Sequence, residues 1–229
     1  MWSIVSMAAV CTVLLAGLLW LGFKVRFLVY LAVAALMFQA LALAVQAGYA
    51  SVLVRENQPW EWVEVGFLVL ASLFCWWAAK RRPPFRRLFT LFSLLPLVAA
   101  VRELDDVLDR YVFDNSWKVI VGLLLLYTGY ITWRNFAGIK AEFRAFMETR
   151  AFGFLWCGFL VVFVFSRLFG QKVLWKALMG EHYIRLVART VEEGAELLGY
   201  WLILAGTIEC LLQNPSRQPA PSTSPDAPA

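Results

Sequence analysis

Two stretches of this chain repeat one arrangement of charge, Arg102-x-x-Asp105-Asp106-x-x-Asp109 and Arg189-x-x-Glu192-Glu193-x-x-Glu196. At roughly 100° per helical residue, the arginine and three acids of each stretch fall on one helical face about 100° wide. Together they hold six acids against two arginines, and Glu103 adds a seventh acid. Salt bridges alone need near balance. The surplus must therefore be met by protons, by neighbouring cations such as Arg110, Lys118 and Arg167, or by a bound cation. Glu61 and Glu64, upstream, would deepen the same negative field.

An all-oxygen ligand set suits a hard divalent ion, Mg²⁺, Ca²⁺ or Mn²⁺, and this is the cofactor class the acids imply. Zinc would want histidine or cysteine, and His182 is the single histidine of the chain. It cannot supply the several-histidine sets of membrane metal hydrolases or a Glu-x-x-His di-iron site. No G-x-S-x-G, P-loop or H-E-x-x-H motif occurs, so no residue is assigned as catalytic. The four cysteines, Cys11, Cys75, Cys157 and Cys210, are widely spaced and form no C-x-x-C pair.

The elements that must carry these charges are set by composition. Of 229 residues, 61% are hydrophobic and only 16% charged, and the mean hydropathy is +0.67. Soluble domains run nearer half apolar and about a quarter charged. Apolar blocks of about 17–25 residues match a hydrocarbon core roughly 30 Å thick at about 1.5 Å per helical residue. The expected fold is an all-α polytopic bundle occupying 1–212, with seven spans over about 2–23, 27–49, 62–79, 88–108, 117–133, 151–167 and 186–212. An interfacial helix is expected over about 171–185, and the Pro/Ser/Ala-rich segment 213–229 reads as a disordered cytoplasmic tail. Pro96 should place a mild kink in the fourth span.

Orientation follows from the cations. Lys24 and Arg26 follow the first block, and Lys80 to Arg87 holds five cations and no acid. With these clusters and the stretch Arg134 to Arg150 inside, the N-terminus lies outside and the C-terminus inside. The basic segment Arg167 to Arg185 then falls outside, against the rule. Tryptophans at the ends of two spans, including Trp76, Trp77, Trp117 and Trp133, fit interfacial belts. The net charge of +5 sits beside apolar blocks, which points to anionic lipid headgroups at Lys80–Arg87 and away from nucleic acid. The setting implied is a cell membrane of the bacterial inner-membrane kind.

Depth is what gives the acids meaning. The uncharged run from Leu88 to Val101 is too short to cross, so about 20 residues of span draw Arg102, Glu103 and Asp105 into the outer leaflet. Leu197 to Ile208 is also too short, which submerges Glu193 and Glu196 and leaves Glu192 at the boundary. On antiparallel helices Arg102 would match the depth of Glu196, and Arg189 that of Asp109. Carboxylates at such depth are costly against lipid and should face the bundle interior. The reading that follows is a cation- or proton-binding site, serving transport or sensing, made of Glu103, Asp105, Asp106, Asp109, Glu192, Glu193 and Glu196. Arg102 and Arg189 pair the charge or contact an anion. A carrier this small would act as a homo-oligomer or with a membrane partner. One alternative is a metal-dependent enzyme acting on a lipid or amphiphile, with the ion activating water. The other is an accessory subunit in which the charges form a structural salt-bridge cluster.

Overall fold

The computed structural model describes residues 25–49 and 59–212. All regular structure among them is helical. The expected block over 2–23 and the tail over 213–229 lie outside the described residues. Helix α1, Val25–Gln46, belongs to the first of two compact units, residues 1–49. It is apolar nearly all round.

The second unit begins with α2, Pro59–Arg81, whose proline at the first position suits a helix start. Pro83 and Pro84 stop it, because a residue before proline is pushed out of helical geometry; Arg82 sits at φ −126° before the tight turn Pro83–Phe85. Helix α3, Arg86–Glu103, then runs back beside α2 and passes unbroken through the buried Pro96. The chain leaves the helix at Leu104 and resumes as the short α4, Asp105–Tyr111. The expected span over 88–108 is thus two pieces. After Asn115 in a left-handed conformation (φ 64°) come α5, Ser116–Arg134, and α6, Phe136–Met147, which meet at a bend of 91°. Helix α7, Arg150–Leu160, begins on a Thr149 side-chain cap and continues into a π-helical turn, Val161–Ser166, and the short α8, Arg167–Phe169. Helix α9, Lys172–Met179, occupies part of the expected interfacial segment, and α10, Arg185–Leu212, closes the unit.

Five helices among the described residues are long and apolar enough to cross a membrane, or up to six if α5 and α6 make one broken span. The chain is a multi-span helical membrane protein. Helix α10 is its most buried span and packs on α2 and α7. Gly158 of α7 makes this possible: a Cβ there would stand 2.8 Å from the Gly199 carbonyl oxygen and 2.9 Å from the Ile203 nitrogen. Backbones approach this closely only across small residues. At the basic end, Phe85, Phe89 and Phe146 form a buried aromatic knot that ties α3 to the amphipathic α6. Arg82 is buried there and caps α10, donating from Nη2 to the Leu211 carbonyl at 2.8 Å. Burial draws its guanidinium down from the usual arginine value.

Candidate functional site

At the end opposite the basic loop, three elements bring acids together. Glu64 lies in the second turn of α2, and Glu193 and Glu196 lie near the start of α10. One carboxylate oxygen from each falls within 4.8 Å of the other two. Glu64 is wholly buried at 0% exposure and Glu196 nearly so at 5%. Neither oxygen of Glu64 has a hydrogen-bond partner. A buried carboxylate without a donor or counter-charge is one of the costliest groups a fold can hold. That cost is the feature that needs explanation.

The two α10 acids are differently served. Arg167, just beyond the π-helical turn, forms ion pairs with Glu196 and, at 3.7 Å, with Glu192. The Ser166 hydroxyl donates to the Val162 carbonyl and stands 3.2 Å from Glu196 Oε1. Glu193 is paired along its own helix with Arg189 Nε at 3.6 Å. Glu103, at the end of α3, accepts a 2.7 Å hydrogen bond from the Tyr200 hydroxyl and has Arg102 Nη1 at 3.4 Å. Five carboxylates, Glu64, Glu103, Glu192, Glu193 and Glu196, therefore face three guanidiniums, Arg102, Arg167 and Arg189. Fully ionised, these five acids and three arginines carry two excess negative charges, with Glu61 close by on α2.

No family model, no curated protein and no solved structure matches this chain. What the group does must be read from its own chemistry.

Sequence spacing placed both acidic stretches on continuous faces that meet at one depth. The structure gathers Glu192, Glu193, Glu196 and Glu103, but not the aspartates. Beyond the break at Leu104, α4 packs against α5. Asp105 and Asp106 are exposed, with Asp105 Oδ1 accepting the Asp106 N–H at 2.7 Å, and Asp109 is half-buried on α4. The three-carboxylate group contains none of them. Arg189 pairs with Glu193 of its own helix. Of the cations named as neutralisers, Arg167 reaches the acids. Lys118 is bonded to the Asn115 side chain and Arg110 is exposed. His182 sits in an exposed turn. Glu209, near the opposite end of α10, is fully buried.

The residue that sequence reasoning undervalued is Glu64. Its signal was present: an acid lying within an otherwise apolar span is a functional-site pointer in its own right. Ser166 and Tyr200 gave no such signal, because their roles depend on how α7 and α10 pack.

Proposed function

We propose that this protein binds a hard divalent cation between α2 and α10, with protons as the competing occupants, as a step in transport or sensing. The carrying observation is Glu64, fully buried with both oxygens unpartnered and aimed at Glu193 and Glu196. One divalent ion or two protons would cancel the surplus of two charges. One oxygen from each of the three carboxylates lies within 4.8 Å of the other two, close enough to share a single hard divalent ion.

The proposed orientation has the N-terminus outside and the C-terminus inside, with seven spans once the block over 2–23 is counted. It is supported by the basic loop and the Trp76 and Trp77 pair, which share one end of α2 while Glu64 lies near the other. Helix α10 has 28 residues, or about 42 Å. With Leu212 at the inner boundary, Glu196 lies about 6 Å beneath the outer one and Glu193 at its edge. The site then opens toward the outside of a cell membrane.

The test is equilibrium binding of Ca²⁺ to purified protein, wild type against Glu64→Gln. One ion per chain is expected, with affinity falling at least tenfold in the variant, the loss of one charged ligand. Equal binding by both proteins would remove Glu64 from the site and the reading with it. Saturable Ca²⁺ uptake in proteoliposomes separates transport from sensing.

A further inference from the structure

The basic end of the bundle holds a second built feature, unconnected with the carboxylates. A cleft of about 720 Å³ opens where the start of α3 faces the elbow between α5 and α6, lined by Arg86, Arg87, Thr90, Ile131, Asn135 and Glu142 among others. Its walls are fixed. Glu142 accepts the Leu88 backbone N–H at 2.8 Å through one oxygen, and its other oxygen stands 3.9 Å from Arg87 Nη1. Gly138 leaves the room for Arg87: a Cβ at that position would come within 2.9 Å of the guanidinium carbon. Glu142 is thereby satisfied within the wall. One nitrogen of Arg87 faces it, leaving further N–H donors of the five on that group, and Arg86 is exposed at the rim. The two guanidiniums outweigh the one carboxylate by a single positive charge.

The depth of the cleft is marked by aromatic and cationic side chains on neighbouring helix ends. Lys80 lies 3.5 Å over the Trp76 ring and Arg81 4.0 Å over Trp77. Arg134 donates to the Tyr130 hydroxyl at 2.9 Å, and Trp133 is 84% exposed. Aromatic rings paired with cations in this way sit at the level of lipid headgroups. Helix α6 leaves α5 at 91° and so crosses the end of the bundle instead of continuing through it. The cleft is therefore a cationic recess at headgroup height, roofed by an amphipathic helix.

We infer that this cleft is a binding site for a phosphate group carried on an anionic lipid headgroup, held by Arg86 and Arg87. Guanidinium forks match phosphate oxygens in geometry as well as charge. The site is narrower than general attraction of a basic loop to an anionic surface, because it requires the Gly138 cradle and the Glu142 brace. Soluble phosphate offers the same oxygens, and the experiment separates the two sources.

The full chain is purified in detergent, incubated with phosphatidylglycerol or phosphatidylcholine, and examined by native mass spectrometry for retained lipid. One phosphatidylglycerol per chain is expected, with phosphatidylcholine not retained. Arg86→Gln with Arg87→Gln lowers retention on the order of tenfold, the size expected for losing charge-assisted bonds. Lys80→Gln with Arg81→Gln, which removes the same charge outside the cleft, leaves retention within twofold. Gly138→Ala changes no charge, displaces Arg87, and lowers retention severalfold. Equal loss in both paired variants would overturn the proposal in favour of diffuse attraction. Wild-type retention by Gly138→Ala would overturn it by removing the cleft from the binding. Binding of inorganic phosphate to the detergent-purified protein as tightly as phosphatidylglycerol would overturn the lipid assignment.

Discussion

Arg167→Gln distinguishes a cation site from a salt-bridge lock by the sign of its effect. Arg167 pairs with both Glu192 and Glu196, so its loss raises the surplus of the group from two negative charges to three. If the acids hold a divalent ion, that ion and the guanidinium repel each other in the wild type. One ion pair plus one metal–oxygen bond sets them about 6 Å apart. The Arg167 side chain is 43% exposed, so solvent screens the interaction and an effective dielectric of about 40–80 is appropriate. The repulsion is then ~1.4 to ~2.8 kcal/mol, and removing it tightens cation binding by about tenfold to a hundredfold. The ion-free protein moves the other way. It loses an arginine that is half exposed but pairs with the buried Glu196, a cost between about 1 kcal/mol for an exposed pair and roughly 3–5 kcal/mol for a buried one. Calorimetric titration with Ca²⁺ in detergent reads the affinity, and thermal unfolding with and without Ca²⁺ reads the stability. The variant should unfold at lower temperature without the ion and gain more from adding it than wild type does. Arg167→Lys, which keeps the charge, should bind as wild type. If Arg167→Gln bound Ca²⁺ no more tightly than wild type, the charge argument would be wrong and the arginines would be organising the acids as a structural lattice.

Two further outcomes follow from the packing around the group. Tyr200→Phe removes the 2.7 Å bond to Glu103 without opening a cavity, and should cost about 1.5–3 kcal/mol in unfolding experiments, the value of a hydrogen bond to a charged group; an unchanged unfolding midpoint would show that Glu103 does not depend on it. Gly158→Ala sets a Cβ against the Gly199 carbonyl at 2.8 Å, so about 1–3 kcal/mol of overpacking opposes up to ~1 kcal/mol of helix propensity. A lower unfolding midpoint and weaker Ca²⁺ binding are expected together, whereas Gly66→Ala, with nothing within 4 Å of its Cβ, should be neutral or stabilising.

Helix placement was legible because lipid imposes a length. The apolar runs near 27–49, 117–133 and 186–212 correspond to helices Val25–Gln46, Ser116–Arg134 and Arg185–Leu212. The break at Leu104 was not legible. Arg102-x-x-Asp105-Asp106-x-x-Asp109 satisfies helical spacing as well when split, and no proline or glycine marks the split at Leu104. The partner of the acidic face of α10 was hidden for another reason. Helix α2 is apolar nearly all round, as a span touching both lipid and protein must be, so no stripe marks its inward side. Glu64 shows that side, and only its depth in the apolar run made it notable.

The π-helical turn bears on whether the charge imbalance is incidental. A turn of this kind inserts one residue into the helical register, which rotates everything after it by about 100° relative to a continuous α-helix. Val161–Ser166 lies directly before Arg167. Without the inserted residue, Arg167 would point about a quarter-turn away from Glu196, and Ser166 would leave it too. Such turns are rare and recur at functional sites. This one aims a single arginine at two of the acids, Glu192 and Glu196. A lattice built only to lock helices together would gain most by aiming a cation at Glu64, the most deeply buried acid of the group and the one with no partner. The local geometry instead pairs the edge of the group and leaves Glu64, at its centre, without a partner, which is the position that a cation or a proton would fill under the proposed reading.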